Sequence, residues 1–311
     1  MTNNNSRFRG LFIPHVTPFN DSGVLDLASL ARLTTRFAAL EGVAGLVSCA
    51  RIGEGPVLTL DEKRSVYEQA GKAAHHAGKL HIATIAPQST DEAIFLLRDL
   101  AALPIDAVMI FPPLLFAWGK VGGDLKVRFF EDVARSTKFS LVLFQVPVQS
   151  YWYDVETICR IARIDQVVAY KEASFNIDLF ADTMQALERQ NASMEVLTGN
   201  DRFVGESYKL GASGALIGVA NVATEKWAAL DIAGRGGDFD KAMAIQRELE
   251  SIKELVFGEP IVEAVARIKI VLHQEGLIKS AAIRRPQLGI SDADKKHLLD
   301  SYRALTLNAN P

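Results

Sequence analysis

The sequence predicts an α/β protein: a (β/α)8 TIM barrel followed by an all-helical C-terminal extension. Short β-branched segments alternate with amphipathic segments over residues 1–225, and eight such units are typical of a barrel of parallel strands. With 311 residues, of which 49% are hydrophobic, the chain can bury a large core. An open doubly wound sheet is disfavoured, because no glycine-rich phosphate fingerprint follows the first strand.

The predicted strands are short apolar runs bounded by polar or turn-forming residues. In chain order they are Leu11–Thr17, Ala44–Ala50, Lys79–Ala86, Ala107–Pro112, Leu141–Val146, Val167–Ala173, Met194–Gly199 and Gly214–Ala220. Apolar residues at three- and four-residue spacing between them, as in Leu25–Leu33 and Ile177–Met184, indicate amphipathic helices. Thr59, Ser89 and Asn176 stand at the starts of such segments and are expected to be N-caps.

Beyond Glu225 the pattern predicts helices only. These helices are Phe239–Leu255, Pro260–Glu275 and Asp292–Leu305. We therefore divide the chain into a barrel, residues 1–225, and a helical extension, residues 226–311, that packs on the barrel as one structural unit. No flexible linker separates the two parts.

Composition argues against several classes of function. The net charge is −3 with interspersed signs, so no basic patch predicts nucleic-acid binding. No apolar run reaches the length of a membrane span, and Met1–Arg9 lacks the apolar core of a signal peptide. Cys49 and Cys159 lie in apolar runs, as expected for reduced core residues of a cytoplasmic protein. The sequence has no CxxC or HExxH motif and no cluster of His and Asp residues, so we expect no metal and no cofactor.

Lys171 is the candidate catalytic residue. Alternation along its strand places Val167, Ala169 and Ala173 on the same face. These apolar neighbours disfavour an ammonium and lower its pKa, and a partly neutral lysine forms imines with carbonyls. The alternative is a strand-end lysine whose amine reaches solvent. The sixth strand of a barrel would end near Lys171, at the rim where barrel active sites lie.

Seven segments carry further motifs, in chain order. They are Gly10–Phe19, Ala50–Glu54, Phe111–Leu115, Leu143–Pro147, Tyr170–Ser174, Thr198–Asp201 and Gly214–Asn221. In this order they resemble the VTPF strand, the GTTGE or GSTGE loop, the PPYY and LYNVP segments, the Schiff-base lysine, and the closing SGDD and GVISVxAN segments of one family. That family is the dihydrodipicolinate synthase / N-acetylneuraminate lyase superfamily of class I aldolases.

The resemblance implies a (β/α)8 barrel with a C-terminal helical extension, assembled as a homotetramer of two tight dimers. It implies that Lys171 forms an imine with pyruvate or another small-molecule 2-oxo acid. It also implies that the substrate carboxylate binds to backbone N–H groups of the Ala50–Gly53 loop. Such amides bind an oxyanion without a charged side chain. The substrate-binding residues expected from the matched motifs are Ala50, Arg51, Ile52, Gly53, Phe144, Gly199 and Leu216.

The sequence departs from this family at the residues that handle protons and substrate. Phe144, Arg51 and Leu115 stand where the family has a relay of tyrosine, threonine and a tyrosine from the neighbouring subunit. Ile52 replaces a second loop threonine, and Gln149 replaces the arginine that binds the second substrate. A phenyl ring transfers no proton, and general acid–base catalysis is worth about 10²–10⁴-fold in rate. We therefore expect slow dihydrodipicolinate synthesis.

Two features are candidates to compensate for the missing relay. Arg51 is able to clamp the substrate carboxylate in a bidentate pair, or else is a solvated loop residue. Tyr151 and Tyr153 follow the fifth strand and offer a phenol as acid or base, although with Trp152 they also suit a packing wall. Phe116–Trp118 suggests an apolar lid or interface.

Three functions stay open at this point. The first is a class I lyase that cleaves, condenses or dehydrates through an enamine on Lys171. The second is 4-hydroxy-tetrahydrodipicolinate (dihydrodipicolinate) synthase, which joins pyruvate and aspartate semialdehyde. The third is a non-catalytic barrel that binds a 2-oxo acid; the lost relay favours it, whereas a lysine retained in an apolar strand counts against it.

Overall fold

A computed structural model describes residues 7–119 and 121–307, and these form a closed barrel of eight parallel strands. The strands are β1 Gly10–Pro14, β2 Val43–Ser48, β3 Leu80–Ile85, β4 Ala107–Ile110, β5 Ser140–Gln145, β6 Val167–Glu172, β7 Glu195–Thr198 and β8 Gly214–Leu216. Each strand pairs with the next along the chain, and β8 pairs with β1. The predicted (β/α)8 barrel is therefore confirmed.

Helices follow the strands around the barrel. They are α1 Leu27–Ala38, α2 Leu60–His76, α3 Thr90–Asp99, α4 Gly123–Arg135, α5 Val155–Ile161, α6 Ile177–Arg189, α7 Val204–Lys209, α8 Thr224–Arg235, α9 Phe239–Phe257, α10 Ala264–Gln274 and α11 Asp292–Leu307. The side chains of Thr59, Ser89 and Asn176 accept backbone N–H bonds at the starts of α2, α3 and α6, so the predicted N-caps are confirmed.

Several strands end earlier than predicted. The apolar run Gly214–Ala220 pairs only as far as Leu216, and Gly218–Asn221 forms a 3₁₀ turn. Strand β1 likewise ends early, at Pro14 rather than at Thr17. These segments remain buried, so their apolar residues reflect burial at the rim rather than pairing in the barrel.

Strand β6 contains a bulge that changes which side chains face inward. Leu141 pairs with Val167, but Val142 pairs with Ala169, so one residue of β6 is extra. Val168, Ala169 and Ala173 join the apolar cluster inside the barrel, whereas Val167 joins the core outside it. The prediction that Val167 shares the face of Lys171 is therefore wrong, and the bulge is the physical reason.

The C-terminal helices pack on the barrel and on one another. Helix α8 packs against β1 and β8 and ends at Arg235, beyond the predicted division at residue 225. We therefore propose that the extension begins with α9, which packs on α7 and α8. None of the described helices combines the length and the apolar character needed to cross a membrane. Cys49 and Cys159 are buried free thiols.

Candidate active site

Strand β6 places the Lys171 side chain inside the barrel, near the carboxyl ends of the strands. Lys171 pairs with Phe144 of β5 on one side and with Leu197 of β7 on the other. Its side chain is buried, and Nζ lies 4.4 Å from the centroid of the Phe144 ring. The lysine is therefore enclosed by apolar neighbours at the rim where barrel enzymes carry their chemistry.

The environment of Lys171 makes its amine easier to deprotonate. Burial lowers the pKa of the ammonium to about 8, the Asp201 carboxylate opposes this, and the Arg51 guanidinium adds to it. At pH 7 about a tenth of such amines are neutral, compared with well under a thousandth at the ordinary lysine pKa. This environment favours the nucleophilic character that the sequence predicts for Lys171.

Gly199, directly after β7, provides the space that Lys171 needs. A Cβ atom at this position would lie 2.9 Å from Cε of Lys171 and 2.8 Å from Cβ of Ala173. Real Cβ atoms do not approach other heavy atoms so closely, so any larger residue displaces the lysine or its strand. Gly199 therefore leaves room for the Lys171 side chain, and its predicted role in substrate binding stays a prediction.

A cavity of about 370 Å³ opens above Lys171. Among its lining residues are Ala50, Arg51, Ile52, Phe144, Gly199 and Leu216. These are the predicted substrate-binding residues other than Gly53. Gly53 is buried behind them, and its carbonyl oxygen accepts a hydrogen bond from Thr17 Oγ1 at 2.7 Å. The structure thus brings most of the predicted substrate site together around the lysine amine.

The loop Ala50–Glu54 forms a tight turn with unused amides. The N–H groups of Glu54 and Gly55 donate back to carbonyls of Arg51 and Ala50. In the part of the chain that the structure describes, the amides of Arg51, Ile52 and Gly53 donate to no backbone carbonyl. A loop of this kind offers donors to an anionic group, as a 2-oxo acid requires.

A buried ion pair holds this loop to the helical extension. Glu54 has a left-handed backbone, with φ of 55°, and its carboxylate contacts Nζ of the fully buried Lys269 on α10. Its Oε1 atom also accepts a hydrogen bond from the N–H of Arg284 at 3.0 Å. The shape of the substrate loop therefore depends on residues far along the chain.

Arg51 points into the cavity rather than into solvent. Its guanidinium donates to the Ile261 carbonyl at 2.9 Å and interacts electrostatically with Asp201. Burial lowers the pKa of Arg51, with Asp201 opposing the shift. A positive charge beside the lysine and the loop amides stands where a carboxylate clamp would need it.

Asp201 is a cavity residue that sequence reasoning did not single out. Its carboxylate is buried, and Oδ1 accepts a hydrogen bond from the Val219 N–H at 3.0 Å. Burial raises the pKa of Asp201 to about 6, against the effects of the Val219 bond and of Lys171. The available signal was its position in the Thr198–Asp201 segment, directly after β7 and at the same rim as Lys171.

The extension also contributes to the cavity. Phe257, Glu259 and Ile261 line it, and a Cβ atom on Gly218 would lie 2.6 Å from Cζ of Phe257. At its mouth, the exposed Glu259 pairs with Arg202 at 3.3 Å. No local motif marks these residues, because they reach the site only through the packing of α9 on the barrel.

The structure brings neither Tyr151 nor Tyr153 into this cavity. Tyr153 is buried outside the barrel against Phe116 and Phe130, and its hydroxyl has no hydrogen-bond partner among the described residues. Burial raises the pKa of this phenol. Tyr151 packs half-buried against the cores on both sides of the barrel wall. The positions of both rings fit the packing-wall alternative.

Two other departures from the family pattern also lie outside the cavity lining. Leu115 is half-exposed on the 3₁₀ turn Leu114–Ala117, and Gln149 is exposed on the turn Gln149–Tyr151. No group of three or more His, Cys, Asp or Glu side chains is placed to hold a metal ion within the described residues.

Comparison with known proteins decides the family. The model of the dihydrodipicolinate synthetase family matches residues 7–304. The chain belongs to this family. The family predicted from the sequence motifs is thereby confirmed, and with it the class of Schiff-base-forming lyases.

Relatives of this dihydrodipicolinate synthetase family member align along most of the chain. The 4-hydroxy-tetrahydrodipicolinate synthase 2 of Clostridium acetobutylicum is 27% identical over 293 residues, covering 94% of this chain and 98% of the relative. The Acidiphilium cryptum 4-hydroxy-tetrahydrodipicolinate synthase is 30% identical over 253 residues, covering 81% and 84%. Dihydrodipicolinate synthase from Thermotoga maritima superposes with a TM-score of 0.88 at 24% identity, covering 97% of this chain and 99% of that one.

Proposed function

We propose that the protein is a class I lyase in which Lys171 forms an imine with pyruvate or another 2-oxo acid. The imine would lead through an enamine to carbon–carbon cleavage, condensation or dehydration. The observation that carries this proposal is the Lys171 amine, buried at the barrel rim and facing a cavity of about 370 Å³. Its pKa is lowered to about 8, which favours attack on a carbonyl.

The surroundings of Lys171 support a carboxylate-bearing substrate. The amides of the Ala50–Gly53 loop are the proposed donors to the carboxylate, and the Arg51 guanidinium is the proposed counter-charge. An arginine and backbone amides together bind a carboxylate strongly and directionally. The apolar remainder of the lining, which includes Ile52, Phe144 and Leu216, favours a ligand with an apolar body.

Borohydride trapping tests the proposal. A mixture of the protein, pyruvate or a panel of other 2-oxo acids, and borohydride should gain the mass of one reduced ligand at Lys171. Lys171→Ala should abolish the gain, whereas Lys126→Ala, at a lysine that packs over the Phe116 and Tyr153 rings outside the cavity, should leave it unchanged. Peptide mapping should also find Lys269 unlabelled, because its amine is ion-paired with Glu54. No labelling across the panel would favour a non-catalytic barrel.

The relatives described above are 4-hydroxy-tetrahydrodipicolinate synthases, which favours this activity as a second candidate. Phe144, Leu115 and Gln149 count against it, because they remove the phenols and the arginine that this reaction uses in the family. We expect slow condensation of pyruvate with aspartate semialdehyde. Turnover near the common enzyme value of about 10 s⁻¹ would instead support this candidate.

We also propose that the protein is cytoplasmic and assembles as a homotetramer of two dimers. Leu114, Leu115, Trp118 and Val148 expose between 48% and 70% of their surface on neighbouring turns. Such an apolar patch suits a subunit interface. One similar structure, with a TM-score of 0.87 and 23% identity, is described as a monomeric dihydrodipicolinate synthase variant. Light scattering of the purified protein distinguishes the two states.

A further inference from the structure

We propose that Asp201 is the catalytic acid–base that moves the proton between the Lys171-bound 2-oxo acid and its enamine, in the role that Phe144 is unable to fill. This inference rests on the proposed function, because it needs the imine at Lys171. It assigns the proton transfer to a residue outside the tyrosine and threonine relay that this chain lacks.

The titratable groups that line the cavity leave few alternatives. They are Arg51, Lys171, Asp201, Arg202 and Glu259. Arginine does not release its proton in proteins, and Lys171 itself carries the substrate. Glu259 is 72% exposed in its side chain and pairs with Arg202 at the mouth. Among the described residues of the lining, Asp201 is therefore the buried carboxyl group available beside the lysine.

The backbone fixes the orientation of the Asp201 carboxylate. Its Oδ1 atom accepts the N–H of Val219, which lies in the 3₁₀ turn that follows β8. The residue itself lies two positions after the glycine that makes room for the Lys171 side chain. Strands β7 and β8 thus hold the carboxylate in place from two sides, which is the preorganisation that acid–base catalysis requires.

The electrostatic surroundings suit a group that both accepts and returns a proton. Asp201 interacts with the charges of Lys171 and Arg51, which favour its ionised form. Burial acts more strongly in the opposite direction and raises the pKa of Asp201 to about 6. A catalytic acid–base works best when its pKa lies near the working pH. Asp201 is then mostly ionised at neutral pH and still able to hold a proton.

The proposed step balances in atoms and charge. The Asp201 carboxylate removes a proton from C3 of the protonated imine. The electron pair of that C–H bond becomes the C2=C3 double bond, and the π pair of the C=N bond moves to nitrogen. After the step the enamine nitrogen and the Asp201 carboxylic acid are both uncharged, the substrate carboxylate keeps its charge, and Asp201 later returns the proton to the substrate. Neutralising both charges is favourable in an apolar cavity.

The phenols near β5 offer no competing route. The Phe144 ring, 4.4 Å from the lysine amine, has no proton to give. The Tyr153 hydroxyl is buried outside the barrel, and Tyr151 is not among the residues that line the cavity. A proton donor that replaces the family relay therefore has to come from another strand, and Asp201 follows β7 at the same rim.

Hydrogen exchange at C3 of the 2-oxo acid tests the assignment. In D₂O with saturating pyruvate, the wild-type protein should exchange the methyl hydrogens, as followed by proton NMR. Asp201→Asn keeps an oxygen for the Val219 N–H but accepts no proton. It should retain borohydride-trapped imine at Lys171 and lose about 10²-fold or more in exchange rate. Asp178→Asn, the same change on an exposed surface, is the matched control and should behave as wild type.

The possible outcomes separate this inference from the proposed function. No imine and no exchange in the wild-type protein with any 2-oxo acid of the trapping panel would overturn both. Imine with nearly unchanged exchange in Asp201→Asn would overturn the role of Asp201 alone. Loss of imine in a folded Asp201→Asn would assign the residue to an earlier step and likewise overturn it.

A second measurement begins with the wild-type protein alone. In the wild-type protein, exchange at saturating pyruvate should fall as the pH is lowered through the pKa of Asp201, because the protonated form is not a base. Asp201→Glu, which keeps a carboxylate, should recover part of the rate and retain this acidic limb. Exchange that is independent of pH in this range would contradict the proposal.

Discussion

The Nζ atom of Lys171 lies 4.4 Å from the centroid of the Phe144 ring, and the two residues pair across β5 and β6. A cation over an aromatic face is stabilised by about 0.5–2 kcal/mol. The ring therefore opposes the burial that lowers the pKa of Lys171. The phenylalanine thus keeps an aromatic surface against the lysine while removing the hydroxyl found at this position in the family.

The pH dependence of imine formation follows from this environment. The rate of borohydride-trapped labelling should rise with pH and level off above about pH 8, because the neutral amine is the nucleophile. An ordinary lysine would keep rising to about pH 10.4. Phe144→Leu removes the attraction of the ring for the ammonium, so the midpoint should shift to lower pH. A midpoint at the ordinary lysine value in the wild-type protein would contradict the role of burial.

Arg51 should affect both binding and the lysine. Arg51→Ala should weaken 2-oxo acid binding by about 1.5–3 kcal/mol, the range for a hydrogen bond to a charged group. It should also raise the pKa of Lys171, because the guanidinium charge helps to lower it. The pyruvate concentration that gives half-maximal trapping measures the change in affinity. The pH midpoint of the trapping rate measures the change in the pKa of Lys171. Arg98→Ala, at an exposed arginine of α3, is the control; unchanged affinity in Arg51→Ala would return Arg51 to a loop role.

Gly199→Ala should damage the site through steric overlap. The added Cβ atom would lie within 3 Å of both Lys171 and Ala173. Overpacking of this kind costs about 1–3 kcal/mol in stability, and the displaced amine should trap 2-oxo acids more slowly. Thermal unfolding and labelling rates measure the two losses. Gly289→Ala, where an added Cβ would meet no atom within 4 Å, should change neither.

Two buried histidines should make the fold sensitive to acid. His15 and His81 both contact the Ser48 hydroxyl at 2.8 Å, and burial lowers the pKa of each from 6.5 to about 4. Between these pH values the unfolded chain binds more protons than the folded one. The free energy of unfolding should therefore have its full value above about pH 6.5 and fall as the pH drops towards 4.

Thermal unfolding between about pH 7 and pH 4 measures this loss. The double variant His15→Gln, His81→Gln should show a flatter pH dependence, whatever its stability at neutral pH. The exposed His76→Gln should leave the slope unchanged. The groups that face the pair are the Ser48 hydroxyl, the carbonyls of Val16 and Pro104, the Asp106 carboxylate and the His75 ring. An equal slope in the wild-type protein and the double variant would contradict this explanation.

Local patterns predicted the parts of the site that depend on local structure. Strand alternation and motif order placed Lys171, the Ala50–Gly53 loop and Gly199 at one rim. Alternation failed at Val167, where a bulge shifts the register by one residue. Such a bulge depends on how neighbouring strands pair, which the sequence of β6 alone does not reveal.

The remaining features of the site that the sequence did not predict arise from packing between distant parts of the chain. Phe257 and Ile261 reach the cavity because α9 packs against α7 and α8, and no motif near them indicates this. Tyr153 follows β5 closely, yet its ring turns outward to pack with Phe116 and Phe130. Proximity in sequence to a catalytic strand therefore did not determine on which side of the barrel wall a side chain lies.

The ion pair between Glu54 and Lys269 has a consequence for how the protein is made. The two residues lie 215 positions apart in the chain, from 54 to 269. Until α10 has left the ribosome, the Glu54 carboxylate lacks the Lys269 ammonium that accompanies it into the interior, and burying a lone charge is costly. The barrel strands are synthesised long before their binding loop is able to take its final shape. A ribosome-bound nascent chain that stops before residue 269 should therefore contain all of the strands β1–β8 but lack a functional active site.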